Sequence, residues 1–323
     1  MRSLRAVREI HIGLGESWAL ASAVSYALGN VLTRVVSVGG DPLAGSIIRT
    51  LPLMFASLGI MAWRYGGIAR LLPRRAGFMG WRGLGVLAFA GLVNTPVSIV
   101  ALYLAFRYGG VLVAVPIFSI NPLWGALIAV PFLGEAFNKL IGGGIVATMI
   151  GIALLTYGQH VGTPVSPQWP LGVVYAMLTS LSWGLGANLR RYVLKRGLDV
   201  FWLNGITSTA GIVLLTAILA GMGRLDTVFE FSSTQIWQLF SAGGLSAIGN
   251  WTLSAAFVLT VVASVTTLKS LDIVIASLLA IFFLGEVLNL PVGLGILIII
   301  AGVLLVQTGM ARPSRAVETV SAN

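Results

Sequence analysis

The sequence contains no cysteine and few ionisable side chains. The absence of cysteine excludes a disulfide framework, a thiolate metal site and a thiol nucleophile. The two histidines, His11 and His160, fall in polar segments outside the apolar runs, so we expect no histidine-based metal or acid–base centre. Charged residues make up only 9% of the chain, whereas a soluble domain typically carries about 25%. Together with 57% hydrophobic residues and a mean hydropathy of +0.95, this composition indicates a polytopic membrane protein.

Motifs of catalysis are also missing. The sequence has no H-E-x-x-H, no G-x-S-x-G elbow, no P-loop lysine and no G-x-G-x-x-G that opens a βαβ unit. We therefore expect no enzyme activity, no catalytic residue, no metal and no cofactor, and any transport driven by an ion or solute gradient rather than by ATP. The net charge of +10 does not indicate nucleic acid, because the basic residues cluster at the ends of apolar runs.

Ten apolar segments are long enough to cross a bilayer, which needs about 20 residues per helix. They span roughly 17–38, 43–63, 83–106, 109–132, 138–158, 170–192, 200–221, 236–258, 262–284 and 291–310. The polar stretch from Gln159 to Gln168 separates five segments from five. The predicted fold is an all-α membrane protein with ten transmembrane helices. Its parts are an N-terminal segment (1–16), a first five-helix repeat (17–158), a linker (159–169), a second repeat (170–310) and a tail (311–323).

The Lys and Arg residues predict the orientation. If the N-terminus is inside, fifteen of these residues flank the cytoplasmic ends of the segments, and only Arg107 and Arg224 lie outside. This bias favours two cytoplasmic termini and a multi-pass protein of the cell (inner) membrane. Three basic residues remain within the segments: Arg34, Arg49 and Lys269.

One segment occurs twice in the sequence. Phe132 to Asn138 reads FLGEAFN, and Phe283 to Asn289 reads FLGEVLN, 151 residues later. Aligned at that offset, residues 123–158 match residues 274–309 at 13 of 36 positions. Because each copy has an odd number of segments, the second copy must enter the membrane from the opposite side. This predicts inverted repeats, which in many secondary transporters hold the substrate site between the two halves.

These residues also carry a family resemblance. Pro116, Pro122, the FLGE motif and the glycines after it (Gly142, Gly144 and Gly151) are similar to the EamA unit of the drug/metabolite transporter superfamily, as are Gly293, Gly295 and Gly302 in the second copy. The resemblance implies a ten-helix carrier that works by alternating access on metabolites. The copies depart from each other where Lys269 replaces Phe118 and Asp272 replaces Asn121.

Ionisable groups inside a membrane are costly and usually functional. Lys269 and Asp272 are three residues apart, so they share one helix face and can pair. We interpret them as a substrate-anion or proton-coupling site, with a purely structural ion pair as the alternative. Arg49 has two equally weighted interpretations: it binds a carboxylate or phosphate of the solute, or it forms a structural hydrogen bond to a backbone carbonyl.

Polar residues recur along the first segment. Ser22, Tyr26, Asn30 and Arg34 lie four residues apart, which predicts a polar stripe facing a cavity. Arg34 has an alternative, because it lies near the outer end, where it can reach the interface or pair with Asp41. Further candidates for substrate contact are Trp183, the repeat partner of Tyr26, and five asparagines that can equally link helices, Asn94, Asn121, Asn188, Asn204 and Asn250.

The two motif glutamates, Glu135 and Glu286, are not interpreted as a catalytic pair. The inverted repeat puts them at opposite faces, and each precedes a helix whose positive N-terminus suits a carboxylate. The preferred hypothesis is a secondary transporter of a small organic solute, driven by a coupling ion or by exchange, with an anionic solute favoured. The alternatives are an exporter of neutral or zwitterionic metabolites such as amino acids, and a non-transporting scaffold or lipid-handling protein. The expected partners are the solute and the lipid bilayer, without nucleic acid.

Overall fold

The structure is a computed structural model, described for residues 13–65, 80–121, 123–124, 127, 139–161, 166–194, 199–259, 265, 268–269 and 271–311. Within these residues the chain is helical and contains no strand. The helices are α1 (Leu14–Ser37), α2 (Pro42–Tyr65), α3 (Gly80–Phe118), α4 (Lys139–Val161), α5 (Trp169–Leu194), α6 (Val200–Gly221), α7 (Ser233–Leu259), α8 (Leu271–Leu284) and α9 (Leu290–Ala311).

Six of these described helices are long and apolar enough to cross a membrane: α1, α2, α3, α4, α6 and α9. The third and fourth predicted segments are joined within α3, which bends at Gly110, where φ is 70°. Only a glycine adopts this angle without strain. The fourth and ninth predicted segments, 109–132 and 262–284, lie partly outside the described residues.

The last helices of the two copies, α4 and α9, touch through paired glycines. A Cβ at Gly144 would lie 2.6 Å from the carbonyl oxygen of Gly302, and one at Gly151 would lie 2.9 Å from that of Gly295. An earlier residue of α4 therefore meets a later residue of α9, so the two helices run antiparallel. At the offset of 151 residues, Gly144 corresponds to Gly295 and Gly151 corresponds to Gly302, so the two contacts are counterparts of each other. This is the contact expected of inverted copies related by a twofold axis.

Other helix pairs are also consistent with a twofold axis that exchanges the two copies. Helix α1 packs on α7, and its counterpart α5 packs on α3. Helix α2 packs on its own counterpart, α6. An ion pair between the two copies lies at each end of these two helices. Arg224 lies 2.6 Å from Asp41, and Arg64 lies 2.6 Å from Asp199. Each aspartate also caps its helix, since Asp41 accepts from the backbone N–H of Leu43, and Asp199 accepts from that of Phe201.

Apolar side chains from both copies form the main core. It includes Leu102, Phe106 and Phe118 of α3, Ala276 of α8 and Ile299 of α9. The core therefore lies where α3, α8 and α9 meet, and it holds the two copies together as one bundle.

The glycine contact generates a matched test. Gly144→Ala should force α4 and α9 apart, and overpacking of this kind costs about 1–3 kcal/mol. Its neighbour Gly143 has open space where a Cβ would be, so Gly143→Ala is the control. We expect a lower melting temperature for Gly144→Ala in detergent and no decrease for Gly143→Ala. Equal melting temperatures would contradict the contact.

Candidate functional site

The polar stripe of α1 faces other helices. Ser22 and Asn30 are buried, and Tyr26 and Arg34 are half-buried. Ser22 donates a hydrogen bond to the carbonyl oxygen of Gly249 in α7, 2.8 Å away, and a Cβ at Gly249 would lie 3.0 Å from the Tyr26 ring. This side of α1 therefore lies on the contact between the two copies.

Tyr26, Lys269 and Asp272 come together beside α7. The Lys269 ammonium lies 5.5 Å from the centre of the Tyr26 ring, within the range of a cation–π contact. The same nitrogen donates to Oδ2 of Asp272, 2.9 Å away. Asp272 is 1% exposed, and its Oδ1 has no hydrogen-bond partner in the described part of the chain. The spacing of Lys269 and Asp272 thus predicted the ion pair that the structure shows.

The counterparts of these residues form a different contact. Phe118 corresponds to Lys269 and Trp183 to Tyr26, and their rings meet edge to face with centroids 5.2 Å apart. Asn121, the counterpart of Asp272, donates to the backbone oxygen of Phe118 at 3.1 Å. Of these two equivalent contacts between the copies, one is therefore aromatic and belongs to the main core, and the other is ionic.

Arg49 is 6% exposed and joins helices of both copies. Its Nε donates to Thr33 of α1 and its Nη2 donates to Ser246 of α7, each at 2.9 Å. No carboxylate among the described residues lies within ion-pair distance of its guanidinium. The expected alternative, a link to a backbone carbonyl, is replaced by a link to two hydroxyl groups.

The asparagines fall in separate places. Asn204 of α6 is fully buried, and its amide lies 3.5 Å from the side-chain oxygen of Asn250 in α7. These two side chains thus link α6 to α7 within the second copy. The side chains of Asn94 and Asn188 lie outside the described part of the structure.

Arg34 pairs with a residue that was not its expected partner. Asp41 pairs with Arg224 instead, and Nε of Arg34 lies 3.5 Å from Oε1 of Glu286. Arg34 is therefore a neighbour of a motif glutamate, so the expected pairing with Asp41 was wrong.

Glu286 contacts the N-terminus of a helix, but not the helix that follows it. Its two carboxylate oxygens accept from the backbone N–H groups of Val111 and Leu112, at 2.8 and 2.9 Å. These groups begin the part of α3 after the bend, whereas Asn289 caps α9 by accepting from Val292. The prediction of a helix-end role therefore had the wrong helix for Glu286, and Glu135 lies outside the described residues.

Gly110 makes this contact possible. A Cβ at Gly110 would lie 2.5 Å from Oε1 of Glu286. A larger residue would both strain the backbone and displace the carboxylate. The second copy has Val261 at the corresponding position, so the contact depends on a glycine that only the first copy supplies.

Two further polar residues were missed from the sequence, Thr33 and Ser246. Thr33 lies seven residues after Tyr26, two helical turns along the same face, which is the signal that was available. Within the described residues, no cluster of His, Asp or Glu has the arrangement that holds a metal ion.

Comparison with known proteins places these features in a family. The model of the EamA-like transporter family matches residues 13–157 and 170–308. Protein LicB of Haemophilus influenzae is 26% identical over 240 residues, which cover 72% of this chain and 77% of that protein. An uncharacterized transporter of Clostridium kluyveri is 24% identical over 223 residues, which cover 68% and 70% of the two chains. A solved crystal structure aligns with a TM-score of 0.53 at 17% identity, over 92% of this chain and 97% of that one, and supports the fold alone.

The Glu286 contact generates a second prediction. Glu286→Ala should leave the N–H groups of Val111 and Leu112 buried and unpaired, at a cost of about 1–3 kcal/mol for each. We expect a clear fall in melting temperature, measured on purified protein. The exposed Glu230→Ala is the control, and an equal response of the two variants would argue against the contact.

Proposed function

The chain belongs to the EamA-like transporter family, and from this premise we propose that it is a secondary transporter of a small organic solute. In this proposal the two copies of the repeat alternately open the solute site to each side of the membrane. An ion gradient or an exchanged solute supplies the energy. We further propose that both termini lie in the cytoplasm and that the protein resides in the cell (inner) membrane.

The difference between the two equivalent contacts of the repeat is the observation that carries the proposal. Lys269, Asp272 and Tyr26 form an ionic contact where Phe118 and Trp183 form an aromatic one. An ionic contact inside a membrane is costly to retain without a use. The aromatic counterpart also indicates that packing alone does not require charge at this position. We therefore assign the solute site to the side of the bundle lined by α1, α7 and α8.

The polar residues on that side favour an anionic solute. Arg49 and Lys269 lie on it together with one acid, Asp272. A carboxylate or phosphate binding near Lys269 would compete with Asp272 for the ammonium. The solute would thereby change the ion pair on arrival, which gives binding a route to conformational change.

The second candidate is an exporter of neutral or zwitterionic metabolites such as amino acids. In it, Tyr26 and Trp183 hold the solute's side chain, so aromatic substitutions would alter selectivity. Trp183 packs against the main core and Phe118, which favours the first candidate. A non-transporting scaffold or lipid-handling protein is the remaining alternative, and it would show no solute flux.

The ion pair is the direct test of this proposal. Lys269→Gln should abolish solute uptake or exchange in proteoliposomes, because the solute loses one of the two cations at its site. That variant also leaves Asp272 buried without its partner, and removing one member of a buried pair costs about 3–5 kcal/mol. We therefore pair it with Lys269→Gln/Asp272→Asn, in which both charges are absent and the shapes are retained.

Transport is measured with a panel of labelled carboxylates, phosphates and amino acids. The control is Lys139→Gln, which changes an exposed lysine at the start of α4. If the double variant folds but does not transport, the ion pair serves transport. Wild-type flux through the double variant would show that the pair is only structural.

A further inference from the structure

Arg49 forms hydrogen bonds along one edge of its guanidinium, and the other edge is less fully bonded in the described part of the chain. Its Nε and Nη2 form the edge that donates to Thr33 and Ser246. Its Nη1 makes no hydrogen bond to any residue in the described part of the chain. A guanidinium has a second edge, formed by Nη1 and Nη2, which matches a carboxylate bidentately. On that second edge, Nη1 has no acceptor among the described residues.

The two hydroxyl groups can act only as acceptors toward Arg49. Thr33 donates its proton to the carbonyl oxygen of Gly29 at 2.7 Å, and Ser246 donates to that of Ala242 at 2.8 Å. Each oxygen therefore offers only its lone pairs to the guanidinium. Because Thr33 and Ser246 belong to different copies, they define the orientation of Arg49 at the contact between the halves.

Packing does not require an arginine at this position. A Cβ at Gly243 of α7 would lie 2.0 Å from the backbone oxygen of Arg49, and a Cβ at Gly91 of α3 would lie 2.5 Å from that of Thr207. These two close crossings correspond in the two copies, so Thr207 is the counterpart of Arg49. Thr207 satisfies its hydroxyl within its own helix, at the oxygen of Leu203. The guanidinium is thus an addition to one half only.

The charge of Arg49 also lacks compensation in the described structure. Lys269 pairs with Asp272, and Arg34 pairs with Glu286, so each of those pairs is neutral. Arginine does not lose its proton in proteins. A buried cation without a counter-ion carries a large desolvation cost. One negative charge on the solute would neutralise the arginine and offset much of that cost, a second would be left unpaired, and an added cation would raise the cost.

We propose that Arg49 binds the carboxylate of a monoanionic solute through Nη1 and Nη2, and that Thr33 and Ser246 are the residues that position it. The proposal rests on the proposed function and deepens it by naming the substrate class. It also separates the roles of the two cations, since Arg49 provides the permanent charge and Lys269 the one that can be released.

Binding to the purified full-length protein tests the solute class. The probes are lactate as a monocarboxylate, succinate as a dianion, inorganic phosphate, the zwitterion alanine and tetramethylammonium as a cation. We expect lactate to raise the melting temperature most, because a ligand that binds only the folded state stabilises it. A larger effect of any other probe, or no effect of lactate, would overturn the proposed class.

Variants test the residues. Arg49→Lys keeps the charge but loses the bidentate edge, and we expect about tenfold weaker lactate binding. Thr33→Val, nearly equal in shape, should weaken binding several-fold, whereas Thr33→Ser restores the acceptor and should restore the affinity. Ser246→Ala should resemble Thr33→Val. If Thr33→Val and Thr33→Ser bind lactate equally well, Thr33 does not position Arg49.

Flux in proteoliposomes tests the role of Arg49 separately from the proposed transport function on which it rests. Solute flux that survives Arg49→Lys with unchanged KM would overturn the role of Arg49 and leave the transporter assignment intact. Arg49-dependent lactate binding without flux of any solute would support the binding site and count against transport. For the positioning residues, we expect KM to increase while kcat changes little.

Discussion

The close contact between α4 and α9 determines how the two copies of the repeat face each other. Gly144 meets Gly302 and Gly151 meets Gly295, so the backbones approach to a distance that no side chain would allow. Because the helices run antiparallel, the same contact relates one copy to the other by a twofold exchange. The pairing of α1 with α7 and of α3 with α5, and the Asp–Arg pairs at the ends of α2 and α6, repeat this exchange. The scaffold is therefore nearly symmetric, and departures from symmetry become informative.

The departures lie together on one side of the bundle. Lys269 and Tyr26 stand where the other half has Phe118 and Trp183, and Arg49 stands where it has Thr207. One arrangement serves packing, since Phe118 is part of the main core and Trp183 packs against it. The second arrangement carries charge in a region where charge is costly. A duplicated scaffold thus supplies the fold, and we propose that the exchanged residues supply the chemistry of transport.

The helical repeat and the Lys269–Asp272 pair were predictable because they depend on periodic or repeated sequence. The FLGE repeat and the apolar segments indicated two helical copies, and the spacing of Lys269 and Asp272 predicted their pairing. Contacts between distant segments were less accessible. Glu286 was assigned to the helix after it, whereas its partners, Val111 and Leu112, are more than 170 residues away and become available through the bend at Gly110. Thr33 and Ser246 were overlooked because isolated hydroxyl residues are common in membrane helices, and only the fold brings both to Arg49.

The inverted relation of the two copies is the central claim, and one measurement tests it directly. Gly39 and Gly197 correspond in the two copies, each two residues before a capping aspartate, Asp41 or Asp199. The chain lacks cysteine, so Gly39→Cys and Gly197→Cys each introduce a single thiol. A membrane-impermeant maleimide should label Gly39→Cys in intact cells and label Gly197→Cys only after the membrane is permeabilised. Labelling of both thiols from the same side would contradict the inverted repeat.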